Sequence, residues 1–235
     1  MTGFTAPQFV FATTDELQHH VADAFTDLVT DVCSSKDRFN VSLSGGSTPK
    51  RLYELLADRE LPWDRIHWFW GDERNVPPDH QDSNFRMVRQ ALLDHIDAPE
   101  KNIHPVPVDV DDPDKAALDY EGELWNHFAG LPPRWDLVLL GMGDDAHTAS
   151  LFPETKAIDQ NDRTFVANWV PKFDGYRYTL TQYAINSGAE IWFLIAGANK
   201  RTALNQVMGH DRNRSLYPAQ LIHPTRWFLT RDATS

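Results

Sequence analysis

The sequence predicts an α/β fold of three layers, with a mostly parallel sheet covered by helices on both faces. Three observations carry this expectation. Short β-prone apolar runs alternate with segments of helical period along the chain, the run Leu137 to Leu140 is continuously apolar as a strand covered on both faces would be, and Gly-rich or charged loops follow several strands, where parallel sheets bind ligands. A length of 235 residues permits one large domain or two small ones. No internal repeat or low-complexity linker interrupts the alternation, so residues 1–235 are read as a single α/β domain.

Taken in order, Gln8 to Ala12 reads as a strand, and Thr13 with Glu16 forms a capping box ahead of Leu17, Val21, Ala24, Leu28 and Val32 at helical spacing. Phe39 to Leu43 is the next strand. It leads through Ser44, Gly45, Gly46, Ser47 and Thr48 into a helix ending near Ala57, with Thr48 as N-cap and Pro49 at the first helical position. Ile66 to Trp70 is a strand followed by a helix near Ser83 to Leu93, and Asp112 with Pro113 opens a helix running from Lys115 to Phe128. After Leu137 to Leu140, the alternation repeats with a strand at Glu190 to Ala196, a helix at Asn199 to Val207 and a strand at Arg226 to Thr230.

Composition narrows the function classes. Hydrophobic residues at 41% and charged residues at 24% are globular values, so neither a disordered nor a fibrous class is indicated. The formal charge of −12, with no run of consecutive Lys or Arg, argues against nucleic acid and anionic membrane as partners. A phosphorylated ligand would need individually placed cations, and Arg74, Arg177 and Lys200 are the candidates. Cys33, the one cysteine, forms no intrachain disulfide, and the N-terminus MTGFTAPQFVF carries no basic-then-apolar leader. These features predict a cytoplasmic protein.

Three strand-end loops can carry chemistry. Ser44 to Thr48 offers backbone N–H groups and hydroxyls at a helix N-terminus, which suits an anion, although an ordinary tight turn has the same composition and the nucleotide P-loop pattern is absent. Asp72, Glu73 and Arg74 could orient a histidine and hold an anion, or form a structural ion-pair cluster. Gly141 to Pro153, GMGDDAHTASLFP, places His147 just beyond a buried strand, where an imidazole can take a proton from water. Gly141, Gly143 and Ala146 mimic a dinucleotide fingerprint, but Asp144 and Asp145 would face the pyrophosphate and Pro153 permits only a short helix.

Other chemistries lack their residues. There is no G-x-S-x-G elbow and no H-E-x-x-H, and Cys33 has no evident base. The ten histidines show no metal-ligand spacing, so no metal and no cofactor is expected. Asp109, Asp111 and Asp112 hint at calcium, but Pro113 and the missing glycine and terminal Glu spoil that loop. The tryptophans, among them Trp68, Trp70, Trp192 and Trp227, read as core aromatics.

With the loops in view, the sequence resembles the 6-phosphogluconolactonase family, within the wider group that includes glucosamine-6-phosphate deaminase. SGGSTP at Ser44 to Pro49, GDER at Gly71 to Arg74 with Ser83 and Asn84, HTASLFP at His147 to Pro153, then Arg177, Thr179, Ile185, Asn186, Gly197, Lys200 and Tyr217 to Ala219 come in the family's order. The resemblance implies a Rossmann-like sheet of the sugar-phosphate isomerase/deaminase type. It implies hydrolysis of 6-phospho-D-glucono-1,5-lactone to 6-phospho-D-gluconate in the pentose phosphate pathway, without metal, and leaves room for transient association with glucose-6-phosphate dehydrogenase.

On that resemblance His147 is the general base, Asp72 or Asp145 orients its ring, Arg74 or nearby N–H groups stabilise the oxyanion, and Arg177 and Lys200 with Ser44, Gly45, Gly46, Ser47 and Thr48 hold the phosphate. The alternatives are a glucosamine-6-phosphate deaminase/isomerase, whose downstream motif is missing, and a non-catalytic sugar-phosphate sensor, which need not retain a base. The family usually has Asp-Gly-His where this chain has Asp145, Ala146 and His147, and a positive φ at that position would strain the alanine.

Overall fold

The computed structural model describes residues 6–130 and 132–234, so the reading of residues 1–5 lies outside the described residues. The chain runs β1 (Gln8–Phe11), α1 (Thr14–Ser35), β2 (Phe39–Leu43), α2 (Ser47–Ala57), β3 (Ile66–Trp70), β4 (Asp72–Arg74), α3 (Asn84–Ala91), β5 (Ile103–His104) and α4 (Pro113–Phe128). It continues through β6 (Leu137–Leu140), β7 (Phe165–Val170), β8 (Gly175–Leu180), α5 (Gln182–Ile185), β9 (Glu190–Ile195), α6 (Arg201–Met208), β10 (Arg226–Thr230) and α7 (Arg231–Thr234).

Seven strands form the main sheet in the order β1-β10-β9-β6-β2-β3-β5, and every neighbouring pair is parallel. The three layers follow from alternation along β3, where successive side chains point to opposite faces. Trp68 stacks on Phe25 of α1, with ring centroids 6.4 Å apart. Its neighbour Phe69 meets His127 of α4 at 4.9 Å, so α1 and α4 cover opposite faces. β6 is buried at all four positions, as its unbroken apolar run requires.

Thr13 caps α1 by accepting from the Glu16 N–H at 3.1 Å, and Glu16 reaches back to the Ala12 N–H at 2.9 Å, one residue earlier than a strict capping box. Ser83 and Asp112 cap α3 and α4 through their side chains. Two expectations need correction. Helix α2 starts at Ser47, with Gly46 rather than Thr48 as its cap, because Gly46 adopts φ 103° and turns the chain into the helix early; Pro49 then sits at its third position. The second correction is a whole sheet: β4, β8 and β7 pair antiparallel, beside the parallel one.

That second sheet is built for the site. Only Gly71 separates β3 from β4, so the charged strand-end loop becomes an edge strand on β8, with Arg74 directly opposite Arg177. Tyr120 of α4 packs edge-on against Phe165 of β7 at 4.5 Å, and one cluster of buried hydrophobic residues runs through both sheets. Among the described residues, no helix is long and apolar enough to cross a membrane.

Candidate active site

The three loops singled out in the sequence meet at the carboxyl ends of β2, β3, β6 and β9. They line one cleft of about 240 Å³ containing Ser44 to Pro49, Asp72, Arg74, Gly141 to Gly143, His147 and Lys200. Parallel sheets place ligands on this rim because the strand ends hand the chain to loops and helix N-termini there.

The first wall is the loop between β2 and α2. Tyr53 fixes its start: the buried phenol donates to the Ser44 carbonyl at 2.8 Å and accepts from the Ser44 N–H at 3.1 Å. Gly46 offers no side-chain cap, so the first-turn amides of α2 are left for a ligand or solvent. Gly45 is needed for close approach, since a Cβ there would lie 1.8 Å from Asn84 Oδ1. Ser44 Oγ and Asn84 Oδ1 are buried with no hydrogen-bond partner, two polar atoms beside a cleft that a polyhydroxyl ligand could satisfy.

The second wall separates the roles of three charged neighbours. Glu73 is structural: its buried carboxylate accepts from the N–H groups of Asn84 at 2.7 Å and Phe85 at 2.8 Å, and so caps α3. Burial raises its pKa, against the pull of those N–H donors. Asp72 faces the cleft and accepts from Ser150 Oγ at 2.8 Å. Arg74 lines the cleft as well, tethered by donating to the Asp82 carbonyl at 2.6 Å.

The third wall carries His147. Its Nδ1 lies 2.5 Å from Asp145 Oδ1, and the other Asp145 oxygen accepts from Lys172 Nζ at 2.8 Å. Burial works against the Asp145 charge, but hydrogen bonds from His147 and Lys172 outweigh it and hold the carboxyl far below the usual carboxylate range. Phe152 stacks on the imidazole at 4.0 Å, and Gly143 leaves the ring its space, since a Cβ there would lie 2.0 Å from Nδ1. With Nδ1 engaged by the carboxylate, Nε2 is the nitrogen left to act on a ligand. Ala146 does take a positive φ, 63°, as the comparison with the family's glycine anticipates. Its N–H donates to Gly143 O at 3.3 Å and its carbonyl accepts from Ala219 N–H at 3.0 Å.

Of the residues predicted from sequence, the cleft brings together His147, Asp72, Arg74, Lys200 and all of Ser44 to Thr48. Asp145 stands behind His147, and it rather than Asp72 holds the ring. Arg177 does not line the cleft; its guanidinium lies over Phe173 at 4.9 Å and donates to the Tyr176 carbonyl at 3.0 Å. Burial and the adjacent Arg74 cation both lower its pKa. Lys172 was missed, because it follows β7 and reaches Asp145 only through the hairpin of the second sheet. Ser150 and Phe152 sat inside the quoted HTASLFP motif without a role; the structure sets them on Asp72 and His147.

Known proteins resemble the chain over most of its length. Residues 12–230 match the family described as glucosamine-6-phosphate isomerases/6-phosphogluconolactonase. The chain is 46% identical over 215 residues to a 6-phosphogluconolactonase of Synechocystis sp., with 88% of each chain covered. It is 51% identical over 191 residues to one of Nostoc sp., covering 80% of this chain and 78% of the relative. Among solved structures, 6-phosphogluconolactonase from Trypanosoma cruzi superposes with a TM-score of 0.87 at 27% identity, covering 99% of this chain and 97% of that one.

Proposed function

The chain belongs to the glucosamine-6-phosphate isomerase/6-phosphogluconolactonase family, and from that premise we propose that it hydrolyses 6-phospho-D-glucono-1,5-lactone to 6-phospho-D-gluconate, with His147 as general base. The observation that carries the reading is the Lys172, Asp145, His147 relay opening on a cleft that also holds Lys200, Arg74 and the Ser44 to Thr48 loop.

A six-membered lactone is an activated ester, so positioning and one base suffice, with neither a covalent nucleophile nor a metal. His147 Nε2 removes a proton from water as the water oxygen bonds to the lactone carbonyl carbon, a contribution of about 10² to 10⁴ in rate. Asp145 holds the ring in the needed tautomer and stabilises the imidazolium while it exists. Arg74 supports the tetrahedral oxyanion from the cleft wall. The intermediate collapses with cleavage of the bond from the carbonyl carbon to the ring oxygen, and the imidazolium gives its proton to that oxygen. The acid product ionises.

The phosphate is remote from the reacting carbon, so its binding energy can hold the carbonyl in place. Lys200 and the first-turn amides of α2 supply that anion site, and Arg177 stands behind Arg74 to add positive potential. The test is acid release from freshly prepared 6-phosphogluconolactone, with the spontaneous rate subtracted. His147→Ala should lower kcat about 10²-fold or more at similar KM, and Lys200→Ala should raise KM for the phosphorylated lactone more than for gluconolactone. Near-wild-type kcat in His147→Ala would remove the base assignment.

A further inference from the structure

Scattered in sequence, three of the ten histidines meet on the face of the parallel sheet that α4 covers, away from the cleft. His67 is the second residue of β3, His104 the last of β5 and His127 lies in the final turn of α4. His104 pairs in register with Phe69, and His67, two residues before Phe69, points to the same face, the one α4 covers. One ring nitrogen from each of the three lies within 4.8 Å of the other two. None of the three histidines lines the cleft, so this group is separate from it.

One pair already has the spacing of a coordination shell, and the third ring nitrogen lies within 4.8 Å of both. His67 Nδ1 and His104 Nε2 are 3.2 Å apart, and two nitrogens on a tetrahedral zinc with bonds of about 2.0 to 2.1 Å lie roughly 3.3 to 3.4 Å apart. The outer partners of such a site are also present. His104 Nδ1 meets Glu123 Oε1 at 2.6 Å, the carboxylate-to-imidazole contact that orients a ligating ring, and His127 Nε2 meets Asn40 Oδ1 at 2.7 Å. Burial first, then His104, Arg38 and Lys101, lowers the pKa of His67 to about 4; burial, Arg38 and the imidazoles of His67 and His104 lower that of His127 to about 3. All three are only half-buried, which leaves an ion a path in.

We propose that His67, His104 and His127 form a binding site for a divalent transition-metal cation of zinc type, which pins the short edge strand β5 and the end of α4 to β3. Each ligand comes from a different element, so the ion would close loops that the chain otherwise leaves to packing. Glu123 supplies the negative charge that offsets the dication beside Arg38.

The test uses the full chain stripped with a chelator and titrated with Co²⁺ and with Zn²⁺ against a chromophoric competitor. One equivalent should bind with a Kd in the micromolar range or below, with visible d–d bands for Co²⁺, and Zn²⁺ at a hundredfold excess over Kd should raise Tm by about 5 to 10 °C. His67→Asn and His104→Gln should each weaken binding by about 100-fold or more, and Glu123→Gln, which leaves the three rings in place, by about 10- to 100-fold. His147→Asn should bind as tightly as the parent chain. Failure of the parent chain to bind one equivalent, affinity unchanged in the ring variants, or loss of binding in His147→Asn would each overturn the site.

Discussion

The carboxyl rim of the parallel sheet and the sheet face under α4 both gather histidine, and they surround it with different neighbours. On the carboxyl rim His147 rests on an ionised Asp145 that is itself held by Lys172. Under α4, His67, His104 and His127 crowd one another, and burial first, with nearby cations, favours the uncharged rings of His67 and His127. A carboxylate behind one nitrogen suits an imidazole that must accept a proton and give it back, and Glu123 behind His104 shows that the same contact also orients a ring within a ligand set. Neither the residue type nor a carboxylate neighbour chooses between these tasks; the presence of two further imidazoles at the ring's free nitrogen does.

The sharpest way to break the contrast is to displace the His147 ring, proposed above as the base, without touching its chemistry. Gly143→Ala puts a methyl where His147 Nδ1 and Cε1 now lie, at 2.0 and 2.2 Å. The ring must shift by about an ångström, and misplacement of that size costs on the order of 10²-fold in rate. We expect kcat to fall by about 10² with the far-UV circular dichroism spectrum unchanged. A kcat within twofold of the parent would mean that the ring position is not what catalysis needs.

The next test reads the three-histidine group through pH. His67 and His127 have folded pKa values of about 4 and about 3, below the ordinary value near 6.5, so the unfolded chain takes up protons that the native one refuses. Stability contributed by these rings is complete above pH 6.5 and is lost as pH falls toward 4 and then 3. Asp145 acts lower: its depressed carboxyl contributes stability above roughly pH 4 that disappears only below it. Denaturant unfolding in chelator-containing buffer should therefore lose about 2 kcal/mol between pH 7 and pH 5, a figure already reduced for the partial exposure of both rings. His127→Gln should flatten that slope. An equal slope in the variant would assign the acid sensitivity elsewhere.

The cleft was legible in the sequence because its parts are local. Ser44 to Thr48, Asp72 to Arg74 and Gly141 to His147 each follow an apolar strand directly, and a parallel sheet brings all such ends to one rim. What escaped is what long-range pairing creates. Lys172 reaches Asp145 across 27 positions, and the histidine trio joins residues 37 and 23 positions apart, with no spacing rule to mark them. The antiparallel sheet had a local signal that went unread. Phe165–Val170 and Gly175–Leu180 are β-prone runs joined by a short turn, but Arg177 among them was weighed as a phosphate ligand rather than as a strand position opposite Arg74.

The smallest effect is expected where the family resemblance pointed to strain. Ala146 sits at φ 63° with its methyl fully buried. Left-handed backbone costs an alanine about 1 to 2 kcal/mol. Replacing it by glycine relieves that cost, but gives up about 0.8 kcal/mol of methyl burial and adds roughly 0.5 to 1 kcal/mol of chain entropy. The terms nearly cancel, so Ala146→Gly should move Tm by no more than about 2 °C. Both hydrogen bonds that Ala146 makes use its backbone, so the His147 turn should keep its shape and kcat should stay within about twofold. A tenfold loss of kcat in this variant would show that the methyl itself seats the imidazole, and the carboxyl rim would then depend on packing as much as on charge.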